Sequence, residues 1–155
     1  MAEEWTRGAW VVSTERSRLD IDVIHGFLRG AYWAGEHLPR DVVHRAIENS
    51  LNFGLYQGAG QIGFARVVTD HATFAYVADV FVLEEQRGQG LGVWLMECVA
   101  AHPALQGLRR WMLGTRDAHT LYEKTGFTRI APEDGRWMEK ADPDVYERMA
   151  KGAAS

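Results

Sequence analysis

"EEQRGQGLGVW", Glu84 to Trp94, sets an arginine and three alternating glycines, Gly88, Gly90 and Gly92, between two apolar runs. The run before it, "FAYVADVFVL" (74–83), reads as a strand apolar on both faces, hence central and covered twice. After it, Leu91, Leu95, Cys98 and Val99 form one face of a helix over Leu91 to His102, which Pro103 stops. A turn that leaves a strand and opens a helix offers amide donors with no partner inside the helix. The helix dipole adds about half a positive charge there. Glycines keep side chains off those amides, and Arg87 adds a charged donor. The stretch reads as a seat for a pyrophosphate-like anion.

Spacing removes the common nucleotide loops. Val93 stands where a dinucleotide fingerprint needs its third glycine, and no Gly-Lys pair supplies a Walker pattern. A G-x-G-x-x-G does occur, from Gly58 to Gly63, and read literally it would make the chain a dinucleotide oxidoreductase. However, "QIGFARVV" after it has strand character, so Gly58 to Gly60 reads as a hairpin turn with Gly63 inside the next strand.

Outward from the turn, Trp10 to Ser13 reads as a strand. Asp20 caps a helix carrying Ile21, Ile24, Phe27 and Leu28, and "WAGEHLPR" is a loop. A second helix starts near Arg40, with Val43, Ala46 and Ile47 on one side. "LNFGLYQ" and "QIGFARVVT" are strands, and "DHAT" is a turn. Downstream, "RRWMLGT" is a strand and Asp117 to Thr125 a short helix, with Gly126 at its left-handed cap. "FTRIA" and "RWMEK" read as final strands, and the end from about Ala150 is expected to fray. The order β-α-α-β-β-β-α-β-α-β-β predicts an α/β (α+β) fold. Its mixed sheet is antiparallel early, has a β-α-β crossover at the glycine turn and carries helices on both faces.

The 155 residues suit one domain. The net charge of -4, with no basic stripe, argues against a nucleic-acid partner. Cys98 is the only cysteine, which excludes an internal disulfide and a cysteine metal cage and fits a reducing cytoplasm. The acidic start has no apolar core, so no secretory signal is expected, and no apolar run has membrane-spanning length. The histidines show no metal-ligand spacing; His25, His37, His44, His71 and His102 read as surface or cap residues, and no metal is expected.

Two blocks together resemble the GNAT superfamily of acyl-CoA-dependent N-acyltransferases. "ADVFVLEEQRGQGLGVWLMECV" (78–99) is similar to that family's strand, pyrophosphate loop and helix, and "LYEKTGF" (121–127) to its second block downstream. The element order extends the resemblance over nearly the whole chain. It implies that the central strand and "RRWMLGT" start as parallel neighbours and then splay. Pantetheine would pair with Val80, Phe81 and Val82, and the pyrophosphate would rest on Arg87, Gly88, Gln89, Gly90, Leu91, Gly92 and Val93. The implied function is N-acetyl transfer from acetyl-CoA to a primary amine by direct attack. The rival is an acyl-CoA-binding sensor or structural module of the same fold. The family also makes a homodimer an open alternative.

Tyr122 matches the tyrosine that lies near the coenzyme sulfur in many members; a phenol of pKa about 10 donates to a thiolate while neutral at pH 7. Asp79, the single charge in the central strand, matches an acidic position of the family, with its side chain expected opposite to Ala78 and Val80. It reads equally as a base or as a structural carboxylate. Ala78 stands where relatives often carry Glu, and Thr115 where they often carry Asn. His119 shares a helix face with Tyr122 and is a second candidate base, while Asp117 reads as that helix's cap. For the acceptor, the resemblance points to "GAYWAGEHLPRD": Tyr32 and Trp33 could stack on the substrate and Glu36 could hold its ammonium, with Trp137 and Met138 closing the other wall. A polyamine, an aminoglycoside, an amino acid or a peptide amine would all fit.

Overall fold

The computed structural model describes residues 1–133 and 135–153. In chain order it forms β1 (Glu4–Arg7), β2 (Trp10–Ser13), α1 (Ile21–Arg29), α2 (Arg40–Glu48), β3 (Leu51–Gln57), β4 (Gly60–Thr69) and β5 (Phe74–Val82). There follow α3 (Leu91–Ala101), β6 (Arg110–Met112), α4 (His119–Glu123) and α5 (Val145–Ala153). The strands make one sheet in order β1-β2-β3-β4-β5-β6. Each pair from β1 to β5 is antiparallel, and β5 and β6 are parallel. This is the mixed sheet with a crossover through α3 that the sequence predicts.

Local chemistry explains the early hairpins. Gln57 pairs with Gly60, and the two-residue loop starts at Gly58 with φ 59°, a conformation glycine adopts without strain. Gly63 lies inside β4, where an added Cβ would come within 2.9 Å of both Leu55 and the carbonyl of Phe81. The G-x-G-x-x-G is therefore a hairpin turn with Gly63 inside the next strand, as read. The same device at Gly8, φ 59°, joins β1 to β2. The β1 strand escapes sequence reading because Trp5 is the one apolar residue in "EWTR".

Two cores lie on the two faces of the sheet. Phe53, Leu55, Ala65, Val67, Ala75 and Val77 pack under α3, which is itself buried at Leu91, Trp94, Leu95, Met96, Cys98 and Val99. On the other face Phe64 and Phe81 pack with Ile24 and Leu28 of α1 and Val43 and Ile47 of α2. Asp20 caps α1 by accepting from the Val23 amide at 3.2 Å, as expected.

The C-terminal part corrects the reading. Neither "FTRIA" nor "RWMEK" is a strand; the backbone runs irregularly between α4 and α5, with Asp134 outside the described residues. Ile130 and Met138 are exposed, so no buried face pins a register, and Pro132 removes a ladder donor. From Val145 to Ala153 the chain is helical where fraying was expected from about Ala150; Ala154 and Ser155 lie outside the described residues. The short helix begins at His119, and Asp117 does not cap it; instead the Thr115 hydroxyl accepts from the Ala118 amide at 3.0 Å. Among the described residues no helix is long and apolar enough to cross a membrane.

Candidate active site

The sheet opens where β5 and β6 part. They pair only from Phe74–Arg110 to Tyr76–Met112, so Val77 to Val82 have no strand on that side. The loop from β5 returns to α3 at the mouth of this gap. Gly88 and Gly90 take φ 84° and 75°, and nothing stands within 4 Å of an added Cβ at either. No side chain caps α3, so the amides of its first turn are open to an anion. Arg87 folds back, donating from Nε to the Val82 carbonyl at 3.1 Å.

A single cavity of about 990 Å³ runs from this turn through the gap to the space between α1, α2 and the sheet. Val80, Phe81, Val82, Arg87, Gly88, Gly90, Leu91, Gly92 and Val93 line it, as do Tyr32, Trp33, Asp79, Thr115 and Tyr122. Burial, with a smaller contribution from the neighbouring Asp117 carboxylate, pushes the Tyr122 phenol up to about 12, so it remains an O–H donor well beyond neutral pH.

Asp79 is placed differently from its expectation. Opposite Ala65 the strand β5 carries an extra residue, since Arg66 pairs with Ala78 and Phe64 with Phe81. Asp79 lies in this bulge with φ 55°, so strict face alternation fails there. One carboxylate oxygen accepts from Arg66 Nε at 2.8 Å and the other from Trp33 Nε1 at 3.2 Å. Arg66 also donates to the Ser50 hydroxyl at 3.1 Å.

Several expected residues stand elsewhere. His119 does not line the main cavity; it lines a second one of about 400 Å³ with Trp111 and Phe127, and Tyr122 borders both. Glu36 is exposed beside His37 and does not line the main cavity. Trp137 lies under Arg110, 4.5 Å from guanidinium to ring, and Met138 is solvent-exposed. Arg66 and Arg116 were missed. Arg116 stacks on the Tyr32 ring at 3.9 Å and its amide donates to the Tyr32 hydroxyl at 2.8 Å. Arg66 had a signal: it is the lone charge in its strand, as Asp79 is in the next, and the "DHAT" turn sets them nearly opposite.

Relatives share this frame. The model of the acetyltransferase (GNAT) domain matches residues 48–129, from the end of α2 past Tyr122. A Gibberella zeae protein named as a candidate acetyltransferase, FG08082, is 37% identical, covering 79% of this chain and 80% of that protein. A crystal structure from Xanthomonas campestris, named as a candidate GNAT-family acetyltransferase, is 46% identical. It superimposes with a TM-score of 0.84 over 91% of this chain and 99% of its own. A candidate acetyltransferase of Deinococcus radiodurans, 22% identical, shares the fold with a TM-score of 0.68 over 90% of this chain and 94% of its own. With the parted strands, the uncapped glycine turn and the matched segment in one place, the chain belongs to the GNAT family of acetyltransferases.

Proposed function

We propose that the protein moves an acetyl group from acetyl-CoA to a primary amine by direct attack. The observation that carries this reading is that the uncapped glycine turn and the Tyr122 ring line one cavity, at the gap between β5 and β6. The residues fit coenzyme A: the open space over Gly88 and Gly90 suits an anion against bare amides. Val80, Phe81 and Val82 would hold the pantetheine, and Arg87, Gly88, Gln89, Gly90, Leu91, Gly92 and Val93 the pyrophosphate. Bound acetyl-CoA supplies a thioester carbonyl for attack and a thiolate as leaving group.

The acceptor nitrogen forms the new C–N bond as the C–S bond breaks; one proton leaves nitrogen and one reaches sulfur. Tyr122 gives sulfur its proton and is refilled from water. Both oxygens of Asp79 already accept hydrogen bonds, and His119 lines the other cavity. This supports water as the acceptor of the amine's proton, helped by apolar walls that disfavour an ammonium. Asp79 then acts as a positioning residue. Cys98 is buried and its thiol is pushed up to about 12 by that burial, which supports transfer without an acyl-cysteine.

The test is thiol release from acetyl-CoA with an accepted amine. Tyr122→Phe should keep acetyl-CoA affinity and lose about 10²-fold or more in kcat. In the wild type kcat should rise with pH and show no fall near 10, because the folded Tyr122 keeps its proton to about 12. An unchanged rate in Tyr122→Phe overturns the assignment; coenzyme binding with no thiol release for any amine favours a binding module.

A further inference from the structure

We propose that the acceptor is a primary amine bearing one ammonium on an aromatic or branched apolar body with no carboxylate. This rests on reading the cavity as the acetyl-transfer site. Beyond Asp79 the cavity continues into a chamber between α1, α2, α5 and the sheet, walled by the half-buried Phe27, Val42, Ala46 and Tyr146 and by Phe81. Phe27 stacks on Phe81 with centroids 4.1 Å apart and planes at 10°, a flat aromatic wall. The total volume of about 990 Å³ lies at the upper end for ligand sites, room for a pantetheine arm and a second molecule.

Charge narrows the occupant. The cavity is lined by three arginines, Arg66, Arg87 and Arg116, against two aspartates, Asp79 and Asp117. Asp79, the carboxylate nearest the chamber, is already matched by Arg66 at 2.8 Å. A polyamine or aminoglycoside would carry further ammoniums into chamber walls that offer no carboxylate besides Asp79, leaving each added buried charge unpaired. A free amino acid would bring a carboxylate into the chamber, and the one arginine on the strands that wall it, Arg66, already donates to Asp79 and Ser50. Arg87 stands at the glycine turn, and Arg116 follows β6 and stacks on Tyr32. An apolar monoamine needs none of these partners, and its ammonium loses its proton more readily in such a chamber.

The experiment is thiol release from acetyl-CoA by the full chain with phenethylamine, isoamylamine, spermidine, kanamycin and L-phenylalanine, paired with calorimetry. The expected result is kcat/KM for phenethylamine or isoamylamine at least about 100-fold above spermidine and kanamycin, and above L-phenylalanine. A preference for spermidine, kanamycin or L-phenylalanine overturns the inference. Calorimetric binding of phenethylamine beside coenzyme A, with no thiol release, upholds the chamber and overturns the acetyl-transfer reading instead. Ala46→Phe, which fills the chamber, should raise the phenethylamine KM at least about tenfold with coenzyme A affinity unchanged. If it does not fold, Val42→Asp adds a carboxylate there and should shift the spermidine-to-phenethylamine ratio at least about tenfold towards spermidine; no shift overturns the inference.

Discussion

Asp79 holds a left-handed backbone, φ 55°, in the middle of a strand, with both carboxylate oxygens engaged. Asp and Asn tolerate that region better than other side chains. Asp79→Asn therefore preserves the backbone and the acceptor for Trp33 while removing the charge. A general base contributes about 10²–10⁴-fold, so a positioning role predicts a loss within about tenfold in kcat and an unshifted pH profile. A larger loss, with the profile moved, would make Asp79 the base. Asp79→Ala should be worse for stability, since alanine tolerates this backbone less well and the change leaves the Arg66 guanidinium without its anion. The sequence could name Asp79 but not its pose. Strand alternation supplied the expected direction, and a bulge, which no pattern of apolar residues announces, changed it. Tyr122 was legible because a short block carried it; Arg116 was not, because an exposed arginine after a strand has no pattern until Tyr32 lies beneath it.

The glycine turn and α3 behave as one element. Gly90 is the residue before the helix, at φ 75°, whereas Gly92 is helical and its Cβ would stand 3.0 Å from Leu121 Cδ1. The two substitutions to alanine separate conformation from packing. Gly90→Ala meets no neighbour but sits in a strained region at a cost of about 1–2 kcal/mol, and its methyl intrudes on the anion space. The expected outcome is an unfolding temperature lower by about 2–8 °C and a weaker coenzyme A Kd by calorimetry. Gly92→Ala gains helix propensity against a contact that a flexible leucine end can relieve, so its thermal shift should be smaller. Equal shifts would remove the conformational argument. Strong local chemistry made this element readable: a strand, an arginine, alternating glycines and a long apolar helix. The segments 127–131 and 136–140 had only loose alternation, and short strands with no buried face depend on neighbours the sequence does not display.

Across the whole molecule, the parted strands leave two bodies, the sheet through β5 with α1 and α2, and the β6–α4 unit; they are joined at one end of the sheet and through the packing of Leu121 on α3. The segment between α1 and α2 spans the gap between them. Trp33 reaches Asp79 on β5, while Tyr32 reaches Arg116 beyond β6 through a hydrogen bond and a stacked guanidinium. Tyr32 and Trp33, 5.1 Å apart edge to face, thus act as a brace over the mouth of the cavity. Tyr32→Phe keeps the ring and the stacking and removes only the hydroxyl that the Arg116 amide donates to. A hydrogen bond of this kind contributes about 1 kcal/mol, so hydrogen exchange at the Arg116 amide should quicken by about fivefold. Phe127 is a suitable control, because its amide donates to the Tyr122 carbonyl at 3.2 Å within its own unit and should keep its rate. If the brace restrains the gap, the apparent rate of coenzyme A uptake rises in the same variant while the Gly90 turn, which Tyr32 does not touch, keeps its own exchange rates. Unchanged exchange at Arg116 would show that the two bodies are held together without Tyr32, by the Phe74–Tyr76 pairing to β6 and the packing of Trp111, Leu121 and Phe127 on the core under α3.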